Sequence, residues 1–356
     1  MRHDGNRSLF ANDTLYTVAN PTASRLLLVK LSSLGDVVHA LPLAQALRAG
    51  LGADAVIGWA VGRAFAPLVE HNPHLSWAHV LPTKSVPDLW AFGRELRPYD
   101  YDTVFDAQGL FVSGAVTLAT GAFRRVGFDT GREGNRLFLT DPIVPNGERI
   151  HVVQRLLGFC EAVNIPRPQK IEAQTYLTTT DVSALLEPAR PDAGPLIGCI
   201  VGASVPEKTW TAERWIACLK MLADAGARPV LLGTKNEAAV ADTIARAAGD
   251  AIAANLVGRT NLLELASVLA KCAAVIGPDS GPTHLAVAVG TPVVGLYGVT
   301  DPAKTGPDWG NASAVVLDYA EADAPPETRR PRHPTLSDAL ARIPARAVAD
   351  AALRLI

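Results

Sequence analysis

Short, unbroken runs of apolar residues alternate along the chain with longer segments in which apolar positions recur at helical spacing. Runs of this length without polar alternation are typical of strands that are buried on both faces of a sheet. Strands and helices that alternate in this way predict a parallel, doubly wound α/β sheet. In the first half, the pattern predicts strands at residues 26–29, 55–61, 77–81, 102–106 and 125–128, and helices at 111–122 and 151–163.

The same pattern restarts after a stretch, between residues 166 and 195, that prolines interrupt repeatedly. Two such units in tandem predict an α/β fold of two Rossmann-like domains that face a central cleft. The second unit has predicted strands at 196–201, 229–233, 273–277 and 292–298, and predicted helices at 212–225, 237–248, 261–271, 285–289 and 345–355. The predicted divisions are a flexible N-terminal extension (1–24), a first domain (25–187), a second domain (188–320), and a proline-rich linker with a C-terminal helix (321–356).

The composition indicates a globular protein and argues against several other classes of protein. Of the 356 residues, 48% are hydrophobic and 19% are charged, which is typical of a globular enzyme. The net charge of −2 argues against general nucleic-acid binding, which needs a basic surface. The cysteines are far apart, with no C-x-x-C spacing, so we expect reduced thiols and no zinc site. No apolar run is long enough to span a bilayer or to serve as a signal peptide, so the sequence predicts a cytoplasmic location.

The stretch at residues 25–42, RLLLVKLSSLGDVVHALP, combines a predicted strand, a short loop and the start of a helix. In a parallel α/β sheet such a loop lies at the carboxyl edge, where ligands bind. Gly35 allows a ligand to approach the backbone closely, and Asp36 places a carboxylate at the start of the helix. Two interpretations of Asp36 stay open: a first-turn acid that stabilises its own helix, or a catalytic carboxylate in the cleft.

A second loop with the sequence GPDSGPTH, at residues 277–284, also joins a predicted strand to a helix. Its second proline suits the first helical turn, which leaves neighbouring amides free to bind phosphate at the positive end of the helix. Ser280, Thr283 and His284 add polar side chains. The loop predicts a phosphate-binding site, and the alternative is a capped turn with Asp279 or Ser280 as the cap.

Three further strand-end loops carry candidate side chains. In GASVPEKTW, Lys208 could reach a diphosphate as a mobile cation, or could be a solvated loop lysine. Asp106 and Gln108, in DAQGL, could bind sugar hydroxyls or cap the next helix. Glu237 could bind a ribose diol or be a first-turn helix acid. No glycine-rich dinucleotide fingerprint follows any strand, which argues against a dehydrogenase.

As a set, these segments resemble glycosyltransferase family 9, the heptosyltransferases. The resemblance rests on VKLSSLGDVVHALP, DAQGL, GAS-x-P-E-K-x-W and GPDSGPTHLAVAVGTPVVGLYG, which occur in the family's order and spacing across about residues 25–305. SSLGDVVHALP and DAQGL favour the type I members, which add the first heptose to Kdo. The resemblance implies a GT-B fold, a lipid acceptor in the first domain, ADP-heptose in the second, and an inverting, metal-independent transfer without a cofactor.

The resemblance also implies roles for individual residues. Asp36 matches the family's catalytic base, and Lys208 matches the residue that contacts and neutralises the donor diphosphate. Glu237 matches the ribose contact. Taken together with the loop chemistry above, the other predicted donor-binding residues are Ser204, Asp279, Ser280, Gly281, Thr283 and His284, and the predicted acceptor-binding residues are Ser33, Gly35, Asp106, Gln108 and Arg132.

These motifs identify the family more specifically than they identify the acceptor. Type I enzymes generally carry a strongly basic helical segment before DAQGL, whereas here the basic residues of that region are Lys84, Arg94 and Arg97. A less phosphorylated acceptor or another saccharide is therefore an alternative, as are another family 9 transferase and a GT-B sugar-nucleotide epimerase. A lipid-linked acceptor also implies peripheral contact with the cytoplasmic face of the inner membrane, with no nucleic-acid partner.

Overall fold

The computed structural model describes residues 24–83, 85–145, 150–310, 313–318 and 338–356. Within these ranges the chain forms two parallel six-stranded sheets, one in each half. Almost all of the predicted N-terminal extension, Lys84, and the predicted linker at 321–334 lie outside the described residues.

The first sheet has the strand order β3-β2-β1-β4-β5-β6. Alternate residues of β1 pack on opposite faces, with Leu26 and Leu28 in one apolar cluster and Leu27 and Val29 in another. Helices cover both faces, which explains the unbroken apolar run. The elements are β1 (Arg25–Val29), α1 (Leu34–Leu51), β2 (Val56–Gly62), β3 (Trp77–Leu81), α2 (Val86–Glu95), β4 (Thr103–Asp106), α3 (Phe111–Ala119), β5 (Arg124–Phe128), β6 (Asp141–Ile143), α4 (Val152–Leu157) and α5 (Ser183–Leu186).

The second sheet has the strand order β12-β11-β10-β7-β8-β9. Its elements are β7 (Leu196–Ile200), α6 (Ala212–Asp224), β8 (Arg228–Leu232), α7 (Ala238–Ala248), β9 (Ala254–Asn255), α8 (Leu262–Lys271), β10 (Ala274–Pro278), α9 (Gly281–Ala288), β11 (Val293–Tyr297), α10 (Pro302–Thr305), β12 (Ala314–Asp318) and α11 (Ala345–Leu353). The C-terminal helix α11 packs against α6, and the indole N–H of Trp210 donates to the carbonyl of Ile343 at 3.2 Å. The end of the chain is therefore part of the second core.

The two tandem Rossmann-like units confirm the predicted fold class. The strand predicted at 77–81 has the same bounds in the structure, and most other elements differ by one or two residues. The pattern missed the edge strands β6, β9 and β12, and α9 begins at Gly281 rather than at 285. The helix predicted over 151–163 ends at Leu157, and a tighter 3₁₀ helix follows over Gly158–Val163. The predicted domain boundaries stay predictions.

The first turns of α1 and α9 lie against each other where the two units meet. A Cβ atom on Gly281 would lie 2.6 Å from Cγ of Leu34, closer than side chains approach one another. A Cβ atom on Gly35 would lie 3.3 Å from Cδ2 of His284. The two glycines therefore allow a close approach that brings the N-termini of both helices to one cleft.

Candidate active site

A cavity of about 480 Å³ lies between the two units, at the carboxyl ends of their strands. The first unit supplies the loop after β1 and the start of α1. The second unit supplies the loops after β7, β8 and β10. Of the predicted site residues, those that line this cavity are Ser33, Gly35, Asp36, Ser204, Lys208, Glu237, Asp279, Ser280, Gly281 and His284.

Asp36 occupies the third position of α1 and is held by three donors. The backbone N–H and the hydroxyl of Ser33 donate to Oδ2 at 3.0 and 2.9 Å, and Nζ of Lys30 lies 3.4 Å from Oδ1. Burial alone would raise the pKa of this carboxyl, but Lys30 and the Ser33 donors outweigh burial and hold that pKa below its usual value. Asp36 thus stabilises its own helix start, and it also presents a half-exposed carboxylate to the cavity.

Lys208, Asp279 and His284 form a connected group on the opposite wall. Nζ of Lys208 donates to Oδ2 of Asp279 at 2.7 Å, and Nε2 of His284 lies 3.0 Å from Oδ1. Burial opposes ionisation of Asp279, but His284 and Lys208 outweigh it and hold the pKa of the carboxyl far below its usual value. Because an ionised carboxylate only accepts hydrogen bonds, Nε2 of His284 carries the hydrogen of that contact.

The first turn of α9 faces the same wall. The helix begins at Gly281, with Pro282 next, so its first amides have no helix carbonyl to accept them. Ser280, the N-cap residue, lines the cavity. Free amides, the positive end of a helix and the Lys208 ammonium together suit a phosphate or diphosphate group.

Glu237 lies at the far end of the cavity, after β8. Its Oε2 accepts hydrogen bonds from the backbone N–H and the hydroxyl of Thr234, at 2.6 and 2.5 Å, so it closes a capping box. A Cβ atom on Gly202 would lie 2.3 Å from Cγ of Glu237. The absence of a side chain at Gly202 therefore leaves room for this carboxylate, which combines a helix-start role with a position on the cavity wall.

Two predicted site residues do not line the cavity. Asp106, predicted to bind the acceptor, is fully buried, and it accepts hydrogen bonds from the amides of Gln108 and Gly109 and from the side chains of Ser113 and Asn135. Thr283, predicted to bind the donor, is also fully buried, and its hydroxyl donates to the carbonyl of Pro278 at 2.6 Å. Both side chains point into the protein and shape their loops.

The other two predicted acceptor residues, Gln108 and Arg132, are not among those that line the cavity. Oε1 of Gln108 accepts hydrogen bonds from the amides of Leu31 and Ser32, at 3.1 and 3.2 Å, and so supports the loop that leads to Asp36. Arg132 is exposed, and its amide donates to the carbonyl of Gly109 at 2.9 Å. This hydrogen bond fixes the main chain at Arg132 next to the DAQGL loop.

Sequence reasoning missed Lys30 and His39. Lys30 follows β1 directly, and its side chain reaches Asp36. His39 lies three residues after Asp36, on the same face of α1, and lines the cavity with its ring 4.2 Å from that of His284 between centroids. Burial, and then the charges of His284 and His151, lower the pKa of His39 well below its usual value, so this ring is neutral. The helical spacing from Asp36 is the signal that could have identified His39.

The described residues form neither a metal-binding cluster nor a membrane-spanning helix. No group of three or more His, Cys, Asp or Glu side chains in that part of the chain is placed to hold a metal ion. No helix in the same ranges is both long enough and apolar enough to cross a membrane.

The chain matches a known protein family, curated relatives and a solved structure. The model of the family described as Glycosyltransferase family 9 (heptosyltransferase) matches residues 89–332. Lipopolysaccharide heptosyltransferase 1 of Pseudomonas aeruginosa is 31% identical over 300 residues, which cover 79% of this chain and 81% of the relative. Lipopolysaccharide core heptosyltransferase OpsX of Haemophilus influenzae is 26% identical over 318 residues, with 83% and 85% coverage. The structure of E. coli heptosyltransferase WaaC with ADP matches with a TM-score of 0.71 and 26% identity, covering 93% of this chain and 100% of that one.

Proposed function

Since the chain belongs to glycosyltransferase family 9, the heptosyltransferases, we propose that it transfers heptose from ADP-L-glycero-D-manno-heptose to the Kdo region of the lipopolysaccharide inner core. The observation that carries this proposal is the single cavity that joins Asp36 of the first unit to the Lys208–Asp279 pair of the second. The names of the relatives, and the ADP in the similar E. coli structure, support this donor and this class of acceptor.

The second unit is proposed to hold the donor. The ammonium of Lys208 and the first-turn amides of α9 lie where they can neutralise a diphosphate. Glu237, at the other end of the cavity, accepts hydrogen bonds and suits the hydroxyls of a ribose. Ser204 and Ser280 also line the cavity and add hydroxyl groups to its wall.

The first unit is proposed to act on the acceptor. In an inverting transfer, the acceptor oxygen forms a bond to the anomeric carbon while the bond from that carbon to the ADP oxygen breaks. The hydroxyl proton passes to the Asp36 carboxylate, and ADP leaves with the electron pair of the broken bond. Positive groups at the diphosphate assist departure, which is the role proposed for Lys208 and α9 and would make the transfer metal-independent.

Acceptor recognition is proposed to use Ser33, Gly35 and Arg132. Ser33 and Gly35 line the cavity beside Asp36, and Arg132 lies on the exposed loop that follows β5. An exposed arginine can pair with a Kdo carboxylate or a lipid phosphate in bidentate geometry. Gln108 supports the loop before Asp36 and contributes by keeping the base in place.

The experiment that tests this function supplies ADP-heptose and a second nucleotide sugar in turn, with Kdo-lipid A as acceptor. We expect ADP release and a heptosylated product, identified by mass spectrometry, only when ADP-heptose and acceptor are both present. Transfer from the other nucleotide sugar alone would indicate a different family 9 transferase. Conversion of the nucleotide sugar without an acceptor would indicate the epimerase alternative. A parallel reaction on an acceptor that already carries one heptose separates type I from type II activity.

Cytoplasmic location with peripheral membrane contact stays a proposal. Exposed apolar side chains lie on α2, at the start of α3 and in the 3₁₀ helix between β5 and β6, at Trp90, Phe111 and Leu137. Such side chains suit contact with a lipid-bearing surface. Cell fractionation tests this, because we expect the protein partly in the membrane fraction and released from it by salt; recovery only in the supernatant contradicts membrane contact.

A further inference from the structure

Lys30 is a buried lysine whose main chain and side chain are both fixed. Only 5% of the residue is exposed. Its amide donates to the carbonyl of Ala60 at 3.1 Å, and its own carbonyl accepts the indole N–H of Trp59 at the same distance. Nζ donates to the carbonyl of Ala107 at 3.1 Å and lies 3.4 Å from Oδ1 of Asp36. The ammonium is therefore held at one place behind the candidate base.

Four features act on the charge of Lys30. Burial lowers the pKa of the ammonium, and Asp36 and the buried Asp106 offset part of that effect. Arg155, on α4, is a like charge that lowers the pKa of Lys30 further. Oδ2 of Asp36 accepts hydrogen bonds from the backbone N–H and the hydroxyl of Ser33, and Oδ1 faces Nζ of Lys30. Lys30 is thus the cation that faces the carboxylate, and water and salt screen it little at this depth.

We propose that Lys30 is a positioning residue that keeps Asp36 ionised, and its Oδ1 fixed, while an anionic donor occupies the cavity. This inference rests on the proposed function, in which Asp36 is the base and a nucleotide diphosphate binds opposite it. A diphosphate brings negative charge into the cavity that Asp36 lines, and nearby negative charge favours protonation of a carboxylate. A protonated Asp36 cannot accept the acceptor proton, so a fixed cation behind it preserves its function.

The proton balance of the step assigns no proton transfer to Lys30. The acceptor hydroxyl gives its proton to Asp36, which becomes neutral, while ADP leaves with the electron pair of the broken bond. Lys30 keeps its own proton and its bond to the Ala107 carbonyl throughout. After product release, Asp36 returns its proton to water, and Lys30 favours that return because it stabilises the ionised carboxylate.

The pH dependence of transfer tests this role. In Lys30→Met we expect the acid limb of kcat/KM for the acceptor, at saturating ADP-heptose, to move to higher pH by about one unit or more. Lys30→Gln, which keeps hydrogen-bond donors but lacks the charge, should show the same displacement, and Lys30→Arg should restore much of the wild-type profile. A purely structural role would lower the rate equally at every pH and leave the limb in place, which would overturn the proposal.

A second measurement needs no Lys30 variant to fold. The Asp36 carboxyl can be titrated by carbon NMR in the wild-type protein with saturating ADP. We expect its pKa to stay at or below about 4, the ordinary value for Asp. A rise to about 6 or above with ADP bound would overturn the inference. Asp36→Asn distinguishes a failure of the proposed function from a failure of the role of Lys30. If Asp36→Asn retains transfer, Asp36 is not the base. If Asp36→Asn is inactive but the Lys30 variants keep the wild-type pH profile, only the role of Lys30 is contradicted.

Discussion

The ammonium of Lys208 lies 2.7 Å from Oδ2 of Asp279, although 71 residues separate the two along the chain. Lys208 comes from the loop after β7 and Asp279 from the loop after β10, which are neighbouring strands of the second sheet. Both side chains are largely buried. The pair holds the Lys208 ammonium in the cavity that the start of α9 also lines, at the proposed diphosphate position.

Lys208→Met should weaken donor binding. The variant removes a charge-assisted contact worth about 1.5–3 kcal/mol, so we expect the dissociation constant for ADP to rise by roughly tenfold to a hundredfold. Titration calorimetry with ADP measures this. Lys220→Met, at an exposed position on α6, is the matched control and should bind ADP like the wild type. Equal ADP affinity in both variants would remove Lys208 from the donor site.

Glu237→Gln should affect nucleotide binding specifically. We expect about tenfold weaker ADP binding, because a neutral amide is a weaker acceptor for ribose hydroxyls than a carboxylate. Affinity for inorganic diphosphate should not change. Glu264→Gln is the control, since Glu264 closes an equivalent capping box with Asn261 at the start of α8 and does not line the cavity. A similar loss in both variants would indicate a helix-capping effect alone.

Gly281→Ala should disturb the contact between the two units. The new methyl group would lie 2.6 Å from Cγ of Leu34, so α1 and α9 must move apart. We expect destabilisation of about 1–3 kcal/mol in urea unfolding, together with a lower transfer rate. Leu34→Ala in the same chain should recover part of both losses because it removes the side chain that collides. Failure of the second substitution to recover either loss contradicts this packing account.

Acidification should destabilise the fold through its buried histidines. Burial lowers the pKa of His79 to about 4, while an unfolded histidine titrates near 6.5. Below pH 6.5 the unfolded chain therefore binds a proton that the folded chain does not, so stability falls as the pH falls. From pH 7 to pH 5 we expect the free energy of unfolding to fall by about 2 kcal/mol more in the wild type than in His79→Gln. His71→Gln, at an exposed histidine, should follow the wild type.

The pattern of apolar residues predicted most of the fold because buried parallel strands have a strong signal. The strand Trp77–Leu81 and the start of α11 at Ala345 have the predicted bounds. The edge strand β9 has two residues and β6 contains a proline, so neither produces a continuous apolar run. Tertiary pairing alone defines such strands.

The site was harder to predict than the fold, because loop sequence does not determine which way a side chain points. Asp106 ends β4 and Thr283 lies in the first turn of α9, next to the expected loops, yet both side chains face inward and support the backbone. For Asp36, the two interpretations are compatible: the carboxylate accepts hydrogen bonds from Ser33 and also lines the cavity. The partnership with Lys30 depends on how far a buried side chain reaches, which spacing does not reveal.

The central claim is that Asp36 takes the acceptor proton during heptosyl transfer. Asp36→Asn keeps the size of the side chain and its ability to cap α1, but an amide is not a base. Asp88→Asn is the matched control, because Asp88 holds the same third position in α2 and accepts from Ser85, outside the cavity.

The measurement that decides this claim is the rate of transfer from ADP-heptose to Kdo-lipid A in a single turnover, with ADP affinity measured beside it. For Asp36→Asn we expect a loss of about 10²–10⁴-fold in rate with unchanged ADP affinity, and a wild-type rate for Asp88→Asn. A rate for Asp36→Asn within about threefold of the wild type, well below the usual contribution of a general base, would contradict the account.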